Sequence, residues 1–189
     1  LLYYTDWIGK NWGFFWKEFL VPPMLETHPF PPFVPPQTRY LLLGSFTGKP
    51  TPGYDWYYCT KTNQFWPILE AVYHTPLLTK SAKQRLFTRL RLAVTDIIYK
   101  CQRKKGNSLD SNLINIVYNT PAIQKILDNY QIKRIFFSSR FVEKNFKKLF
   151  PHVSIPFVTL PSPSPRYAAM SKSDKIKRYR ELLPSLPKS

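Results

Sequence analysis

A chain of 189 residues has the length of one compact domain built around a single hydrophobic core. Hydrophobic residues make up 43% and aromatic residues 16%, which excludes a generically disordered chain. Lys and Arg number 28 against 11 Asp and Glu, and the net charge of +17 exceeds the roughly 2–8 units that solubility requires. We therefore expect a polyanionic partner, above all nucleic acid.

The two cysteines and three histidines are scattered, without the spacing of a disulfide framework or a metal site. Neither a four-cysteine iron–sulfur cluster nor a Cys/His zinc site can be assembled from them, so we expect no metal and no cofactor. No apolar run approaches the roughly 20 residues of a membrane-spanning helix. The sequence predicts a reduced, cytoplasmic monomer with no membrane partner.

The first predicted elements follow a proline-rich segment, residues 22–36, which excludes a regular helix or a central strand and is expected to run over the surface. Residues 39–44 form an apolar run ending in glycine, typical of a strand buried on both faces of a parallel sheet. Helical spacing of apolar side chains predicts a helix over residues 65–73. Ser81 and Gln84 have the spacing of a capping box, which predicts a helix through about Leu92.

The second half of the chain alternates strands with helices. We predict strands at residues 94–98, 134–138 and 157–160, and helices at residues 140–150 and 173–183. A further helix is expected to begin with Thr120 as its N-cap and Pro121 in its first turn. The pattern predicts an α/β fold with three layers, α/β/α, around a central, mainly parallel four-stranded sheet. Sites in such folds lie beyond the carboxyl ends of the strands, which directs attention to residues 44–63 and 160–166.

These two loops carry distinctive motifs. The first opens Gly-Ser-Phe-Thr-Gly at residues 44–48, continues Tyr57-Tyr58 and ends Asn63-Gln-Phe-Trp, and the second reads Pro-Ser-Pro-Ser-Pro-Arg over residues 161–166. Together they resemble the signature motifs of the uracil-DNA glycosylase superfamily, most closely its hypoxanthine-DNA glycosylase-like branch. The segments Asp-Ile-Ile at 96–98, Cys-Gln-Arg at 101–103 and Asn-Ser-Leu-Asp-Ser at 107–111 agree as well. Departures from the branch lie at Thr47, at residues 59–62 and at Ser138-Ser139.

The resemblance implies a base-excision repair enzyme acting on DNA that carries a deaminated base. Such an enzyme hydrolyses the N-glycosidic bond of uracil or hypoxanthine and leaves an abasic site. Because a base within the duplex is unreachable, the nucleotide must be flipped into a pocket that stacks its ring and reads its polar edge. By resemblance that pocket would be formed by Gly44, Ser45, Phe46, Tyr57 and Tyr58, with Phe46 stacking on the base. Paired tyrosines before a helix are also common in a core.

Asn63 matches the position of the branch's catalytic asparagine. An amide orients a water or contacts the base, and it acts by positioning and electrostatics because it is not a useful base. The same asparagine is a favoured residue for capping the following helix, so capping is the alternative interpretation of Asn63. Asp55 is the reserve candidate for activating water, or an ordinary turn residue. Leu160 stands where stronger uracil-releasing relatives have a histidine.

The second loop is the expected DNA-binding element. Ser162, Pro163 and Ser164 are expected to grip the phosphates beside the flipped nucleotide, with proline keeping the loop stiff. Arg166 would bind a phosphate or enter the minor groove, or it is simply a solvated surface arginine. Basic runs at residues 80–105 and 172–180 are expected to add non-specific DNA binding, or to form solvated faces.

Two alternatives to the enzyme remain open from sequence. One is a nucleic-acid-binding module that keeps the fold without turnover, and the other is an α/β enzyme acting on a phosphorylated small molecule, although no glycine-rich phosphate loop is present. Met24 precedes a segment that resembles the start of related proteins. We therefore expect residues 1–23 to be an N-terminal extension and residues 24–189 to form a single glycosylase-like domain.

Overall fold

A computed structural model describes residues 25–47, 56–104 and 110–187. The predicted extension at residues 1–23 lies outside these ranges, as does Asp55. The helices and strands, numbered in chain order, are β1 (Glu26–Thr27), β2 (Tyr40–Gly44), α1 (Phe65–Tyr73), α2 (Lys80–Arg89), β3 (Leu92–Asp96), β4 (Ile98–Arg103), β5 (Leu113–Tyr118), α3 (Thr120–Asn129), β6 (Arg134–Phe137), α4 (Arg140–Leu149), β7 (Phe157–Thr159) and α5 (Lys172–Leu182).

The central sheet has four parallel strands in the order β3-β2-β6-β7. Side chains of a strand alternate between the two faces of its sheet, and the β2 run Leu-Leu-Leu is buried on both. Leu42 faces a layer that contains α1, α2 and α5. Leu41 and Leu43 face the opposite layer, which contains α3 and α4. The predicted three-layer α/β/α fold is therefore confirmed.

A second sheet, which the sequence did not predict, joins β1, β4 and β5 in antiparallel order. Its strands β4 and β5 bury only part of their side chains and carry a register irregularity, and their apolar residues are interrupted by Lys100 and Gln102 in β4 and by Asn115 in β5. The sheet packs Ile98, Cys101 and Leu113 against the same core layer as α3 and α4. It also fixes the first half of the proline-rich segment, because β1 lies within that segment and the His28 amide donates to the Tyr99 carbonyl at 2.8 Å.

Three boundaries differ from the predicted ones. The strand expected at residues 94–98 is β3, Leu92–Asp96, and it ends at Asp96. The cap of α2 is Thr79, whose hydroxyl accepts from the Ala82 amide at 3.2 Å, so the capping box expected at Ser81 is wrong. The N-cap of α3 is Asn119, one residue before the expected Thr120. Differences of one or two residues are ordinary at the ends of helices and strands, because the ends fray and their last hydrogen bonds are irregular.

The proline-rich segment runs along the outer edge of the central sheet. Phe33 forms an isolated antiparallel bridge with Val94 of the edge strand β3, with amide-to-carbonyl distances of 3.0 and 2.9 Å. This contact covers part of an otherwise open sheet edge. Among the described residues, no helix is both long and apolar enough to cross a membrane.

Candidate functional site

A cleft of about 600 Å³ opens at the carboxyl ends of the parallel strands. Its walls come from the segments that follow β2, β6 and β7, and its floor includes Asp96 at the end of β3. The chain leaves β2 towards β3 on one side and reaches β6 and β7 on the other, so the cleft lies at the switch point of the sheet. Its volume falls in the range of small-ligand sites, roughly 300–1,000 Å³.

The cleft brings together most of the residues that the motifs predicted. The lining includes Ser45, Phe46, Tyr58, Asn63, Ser162, Pro163, Ser164 and Arg166. Gly44 lies beneath the cleft without lining it. Tyr57 lies in the core with no exposed surface, where its hydroxyl donates to the Pro31 carbonyl at 2.9 Å. The structure thus places Tyr57 outside the expected base pocket and Tyr58 inside it.

Asn63 lies two residues before Phe65, the first residue of α1. Its side-chain oxygen accepts from the Phe65 amide at 2.9 Å, so the carboxamide satisfies one of the open donors at the start of this helix. Its amide NH₂ group makes no hydrogen bond with the described residues, while Asn63 itself lines the cleft. The N-cap position of α1 is Gln64, one residue later than the capping interpretation expects, but the Asn63 oxygen still satisfies a donor at the start of the helix. The Asn63 nitrogen remains for a ligand or a water.

The second loop is tied to the start of α1 from several sides. The Gln64 amide donates to the Pro163 carbonyl at 2.9 Å. The Lys175 ammonium, buried on α5, donates to Gln64 Oε1 at 3.0 Å and to the Ser164 carbonyl at 3.2 Å. The Tyr179 hydroxyl donates to the Pro161 carbonyl at 2.9 Å. These bonds hold the loop and Asn63 as one preorganised unit.

The serine hydroxyls of this loop first satisfy its own backbone. Ser162 Oγ accepts from the Ser164 amide, and Ser164 Oγ accepts from the Arg166 amide, both at 3.3 Å. Each hydroxyl keeps its own proton for donation to an outside acceptor such as a phosphate oxygen. The Arg166 side chain is exposed at the rim and makes no hydrogen bond or ion pair with the described residues.

Asp96, which lines the cleft, pairs with the buried His28, which does not. Asp96 is 4% exposed, and its Oδ2 lies 2.9 Å from His28 Nε2. His28 Nδ1 lies 2.8 Å from the Phe30 carbonyl oxygen and 3.1 Å from the Phe30 amide nitrogen. Burial lowers the pKa of His28, but the hydrogen bond and the charge of Asp96 outweigh burial and raise the pKa overall.

Tyr58 is held in a strained conformation beside this pair. Its φ of 58° lies in the left-handed region, which costs about 1–2 kcal/mol for a residue with a side chain. Its ring stacks on Phe65, with ring centroids 3.8 Å apart. The hydroxyl oxygen is buried and has no hydrogen-bond partner among the described residues. Burial and the charge of Asp96 raise the pKa of Tyr58 well above its ordinary value, and the nearby Ser138 hydroxyl offsets only a small part of this, so the phenol is neutral.

Gly44 is required by the close approach of these two side chains. A Cβ atom at this position would overlap Asp96 Oδ1, far inside van der Waals contact, and would lie 3.4 Å from the Tyr58 hydroxyl oxygen. Any other residue at the end of β2 would displace the Asp96 carboxylate. The glycine of the first motif therefore makes room for the floor of the cleft.

Two cleft carboxylates were not identified as site residues from sequence. Asp110 lines the wall, where burial and the charge of Asp96 raise its pKa while the Ser45 hydroxyl and Arg103 act in the opposite direction. Asp96 was hidden because the strand was expected to continue to residue 98. With β3 ending at Asp96, the signal is a charged residue at the carboxyl end of a buried parallel strand, which is where sites form.

Three basic side chains of the predicted run at residues 80–105 do not line the cleft and have other contacts. Lys83 is 5% exposed, with its ammonium 4.9 Å from the centre of the Trp66 ring. Arg103 forms an ion pair with Glu26 at 3.0 Å. Arg91 lies at the opposite edge of the sheet, where its carbonyl accepts from the first amide of β2. Among the described residues, Arg166 is the one cationic side chain that lines the cleft.

The cleft therefore has an acidic, hydroxyl-rich floor and a cationic rim. Carboxylates repel phosphate, so an anionic group is accommodated at the rim and not on the floor. The floor is suited to a neutral group that brings hydrogen-bond donors. Within the described parts of the chain, no three His, Cys, Asp or Glu side chains are grouped as they would be to hold a metal ion.

Comparison with known proteins identifies the fold. No family model matches the sequence, and no curated protein matches it. The structure is similar to the solution NMR structure of a protein from Methanosarcina acetivorans described as a "putative Uracil DNA glycosylase", with a TM-score of 0.63. The match covers 84% of this chain and 99% of that chain at 21% sequence identity. The chain thus has a uracil-DNA glycosylase-like fold.

Proposed function

We propose that this chain is a monofunctional DNA glycosylase without a metal cofactor, which hydrolyses the N-glycosidic bond of a deaminated base and leaves an abasic site. Uracil and hypoxanthine are the proposed bases. The observation that carries the proposal is the cleft, which joins Asn63, Phe46 and the second loop at the carboxyl edge of a glycosylase-like sheet. The description of the M. acetivorans structure supports the same class of activity.

DNA is the proposed partner because the net charge of the chain and the placement of charged groups in the cleft both favour it. The net charge of +17 favours a polyanion, and Arg166 with the two serine hydroxyls offers phosphate contacts at the cleft rim. The floor, with its carboxylates, rejects phosphate and accepts a base. This division of charge fits a flipped nucleotide, whose backbone stays outside while its base enters. It disfavours an enzyme that binds a phosphorylated small molecule deep in the cleft.

The reaction requires positioning more than acid–base chemistry. The bond between C1′ and the base nitrogen breaks with its electron pair leaving on the base, which takes up a proton. A water oxygen bonds to C1′ and releases a proton to solvent. Asn63 lines the cleft with its oxygen fixed on the start of α1 and its NH₂ group without a partner among the described residues, and it is proposed to hold the leaving base or to orient this water. Phe46 is proposed to stack on the base.

The test is base release from defined oligonucleotides. Duplex and single-stranded DNA carrying one uracil or one hypoxanthine is incubated with the protein, and hot alkali then cleaves any abasic site. The proposal predicts strand scission at the position of at least one of these bases. Tight, salt-dependent binding without scission on any substrate would instead indicate a nucleic-acid-binding module that has the fold without turnover.

A further inference from the structure

The floor of the cleft presents one carboxylate oxygen without a partner. Asp96 is 4% exposed, and only its Oδ2 is engaged, by His28 Nε2 at 2.9 Å. Oδ1 makes no hydrogen bond with the described residues, and Asp96 lines the cleft. Among the described residues the Tyr58 hydroxyl is the fully buried side-chain polar atom without a partner, so Oδ1 keeps some exposure, and a ligand or a water in the cleft can supply its donor. Oδ1 is therefore a hydrogen-bond acceptor presented to whatever occupies the cleft.

His28 holds the Asp96 carboxylate in one orientation, whether the His28 imidazole is protonated or neutral. When His28 is protonated, Nδ1–H donates to the Phe30 carbonyl at 2.8 Å. When His28 is neutral, Nδ1 accepts from the Phe30 amide at 3.1 Å. In each state Nε2–H donates to Asp96 Oδ2, so Asp96 remains an acceptor. Gly44 leaves the space that Oδ1 occupies, since a Cβ atom there would overlap it.

A carboxylate acceptor discriminates between base edges. Hypoxanthine and uracil each present a ring N–H beside a C=O, whereas adenine and cytosine present an unprotonated ring nitrogen at the same place. A ring N–H that faces Asp96 Oδ1 donates a charge-assisted hydrogen bond to it. An unprotonated ring nitrogen at the same place is repelled, because its lone pair faces a lone pair of Oδ1. Hydroxyl donors that can contact the neighbouring C=O line the same cleft at Ser45 and Ser138.

We infer that Asp96 is the base-reading residue of this site and that Oδ1 accepts the ring N–H of a flipped base, selecting bases with an N–H next to a carbonyl. The inference rests on the proposed function, since it assumes that a nucleobase enters the cleft. A purely structural role for Asp96 explains its bond to His28 and leaves Oδ1 unexplained. The two roles predict different outcomes when the base is changed.

The experiment measures binding, so that it does not depend on turnover. Duplex oligonucleotides carry one 2′-fluoroarabino nucleotide, which resists hydrolysis, with hypoxanthine, adenine, unsubstituted purine or 1-methylhypoxanthine as its base. Dissociation constants are measured by fluorescence anisotropy for the wild type and for Asp96→Asn. Asp128→Asn is the matched control, because it removes the same charge from an exposed position on α3.

The wild type is expected to bind the hypoxanthine duplex at least about tenfold more tightly than the adenine and purine duplexes. In Asp96→Asn the carboxamide can turn its NH₂ group towards an unprotonated ring nitrogen, so the ratio between hypoxanthine and purine should fall by about tenfold. Asp128→Asn should leave every ratio within about twofold of the wild type. A loss of affinity in Asp96→Asn that is equal for all four bases would overturn the inference, as would a wild type that binds adenine as tightly as hypoxanthine.

Failure of the inference and failure of the proposed function give different results. Base release is measured separately on ordinary 2′-deoxy substrates. If no base is released but the binding ratios are as predicted, the proposed glycosylase activity is refuted and base reading by Asp96 is supported. If base is released but Asp96→Asn leaves the binding ratios unchanged, the activity is supported and base reading by Asp96 is refuted. If Asp96→Asn does not fold, the test is the binding of the wild type to the 1-methylhypoxanthine duplex, because this base keeps the carbonyl and lacks the ring proton. If the wild type binds the 1-methylhypoxanthine duplex within about twofold of its affinity for the hypoxanthine duplex, the inference is overturned.

Discussion

Replacing Tyr58 by phenylalanine should make the protein more stable. The Tyr58 hydroxyl is buried, and no described group meets it in good hydrogen-bond geometry, although the Ser138 hydroxyl lies close enough to act on its pKa. A buried hydroxyl without a good hydrogen bond costs about 1–3 kcal/mol. The variant removes only this oxygen and keeps the ring, whose centroid lies 3.8 Å from that of Phe65. The small void left behind offsets part of the gain. We expect the free energy of unfolding to rise by about 1 kcal/mol, or roughly 2–4 °C in Tm for a chain of this size.

Tyr57 supplies the matched control for this change. It neighbours Tyr58 in sequence and has no exposed surface, but its hydroxyl donates to the Pro31 carbonyl at 2.9 Å. Tyr57→Phe leaves that carbonyl without its donor and should lower the free energy of unfolding by about 1 kcal/mol. Urea unfolding followed by circular dichroism measures both variants, with unchanged m-values as the check on two-state behaviour. Equal destabilisation by the two variants would refute the claim that the Tyr58 hydroxyl is unpartnered.

Three further predictions follow from the cleft. Gly44→Ala sets a methyl group against Asp96 and should lower the free energy of unfolding by about 1–3 kcal/mol, measured by urea unfolding, and a neutral result would contradict the close approach. Because folding raises the pKa of His28 above 6.5, its stabilising contribution is complete below that pH and is lost as pH rises through the raised value. Urea unfolding between pH 6 and pH 9 should show this loss in the wild type and not in His28→Gln. Arg166→Ala should weaken DNA binding similarly for all bases and reduce the slope of log affinity against log salt by about one, and an unchanged slope would place Arg166 away from phosphate.

Much of the fold could be predicted because its signals are local. The continuous apolar run of β2 and the helical spacing of Ile123 and Ile126 on α3 each determine an element without reference to the rest of the chain. The second sheet could not be predicted, because β1 has two residues, β4 contains two cationic residues, and β5 is a largely apolar strand of which only Leu113 is fully buried. Its pairing depends on contacts between distant segments.

The sequence predicted the loop residues of the candidate site but not the pair of His28 and Asp96 beside them. Asn63, Phe46 and the serines of the second loop were found from motifs, since those residues are close together in sequence. The pair of His28 and Asp96 joins residues 68 positions apart, which no local pattern reveals. A two-residue error in the boundary of β3 also placed Asp96 inside a strand instead of at its end.

The most direct test of the central claim is the rate of base release by Asn63→Ala. Single-turnover release is measured on a duplex carrying one hypoxanthine or one uracil, beside the wild type and Thr79→Ala, which likewise removes a helix-capping side chain. We predict release by the wild type, a loss of about 10²–10³-fold in Asn63→Ala, and a rate within about twofold of wild type in Thr79→Ala. Release by Asn63→Ala at the wild-type rate would contradict the role of Asn63, and no release by the wild type on either base would contradict the glycosylase itself.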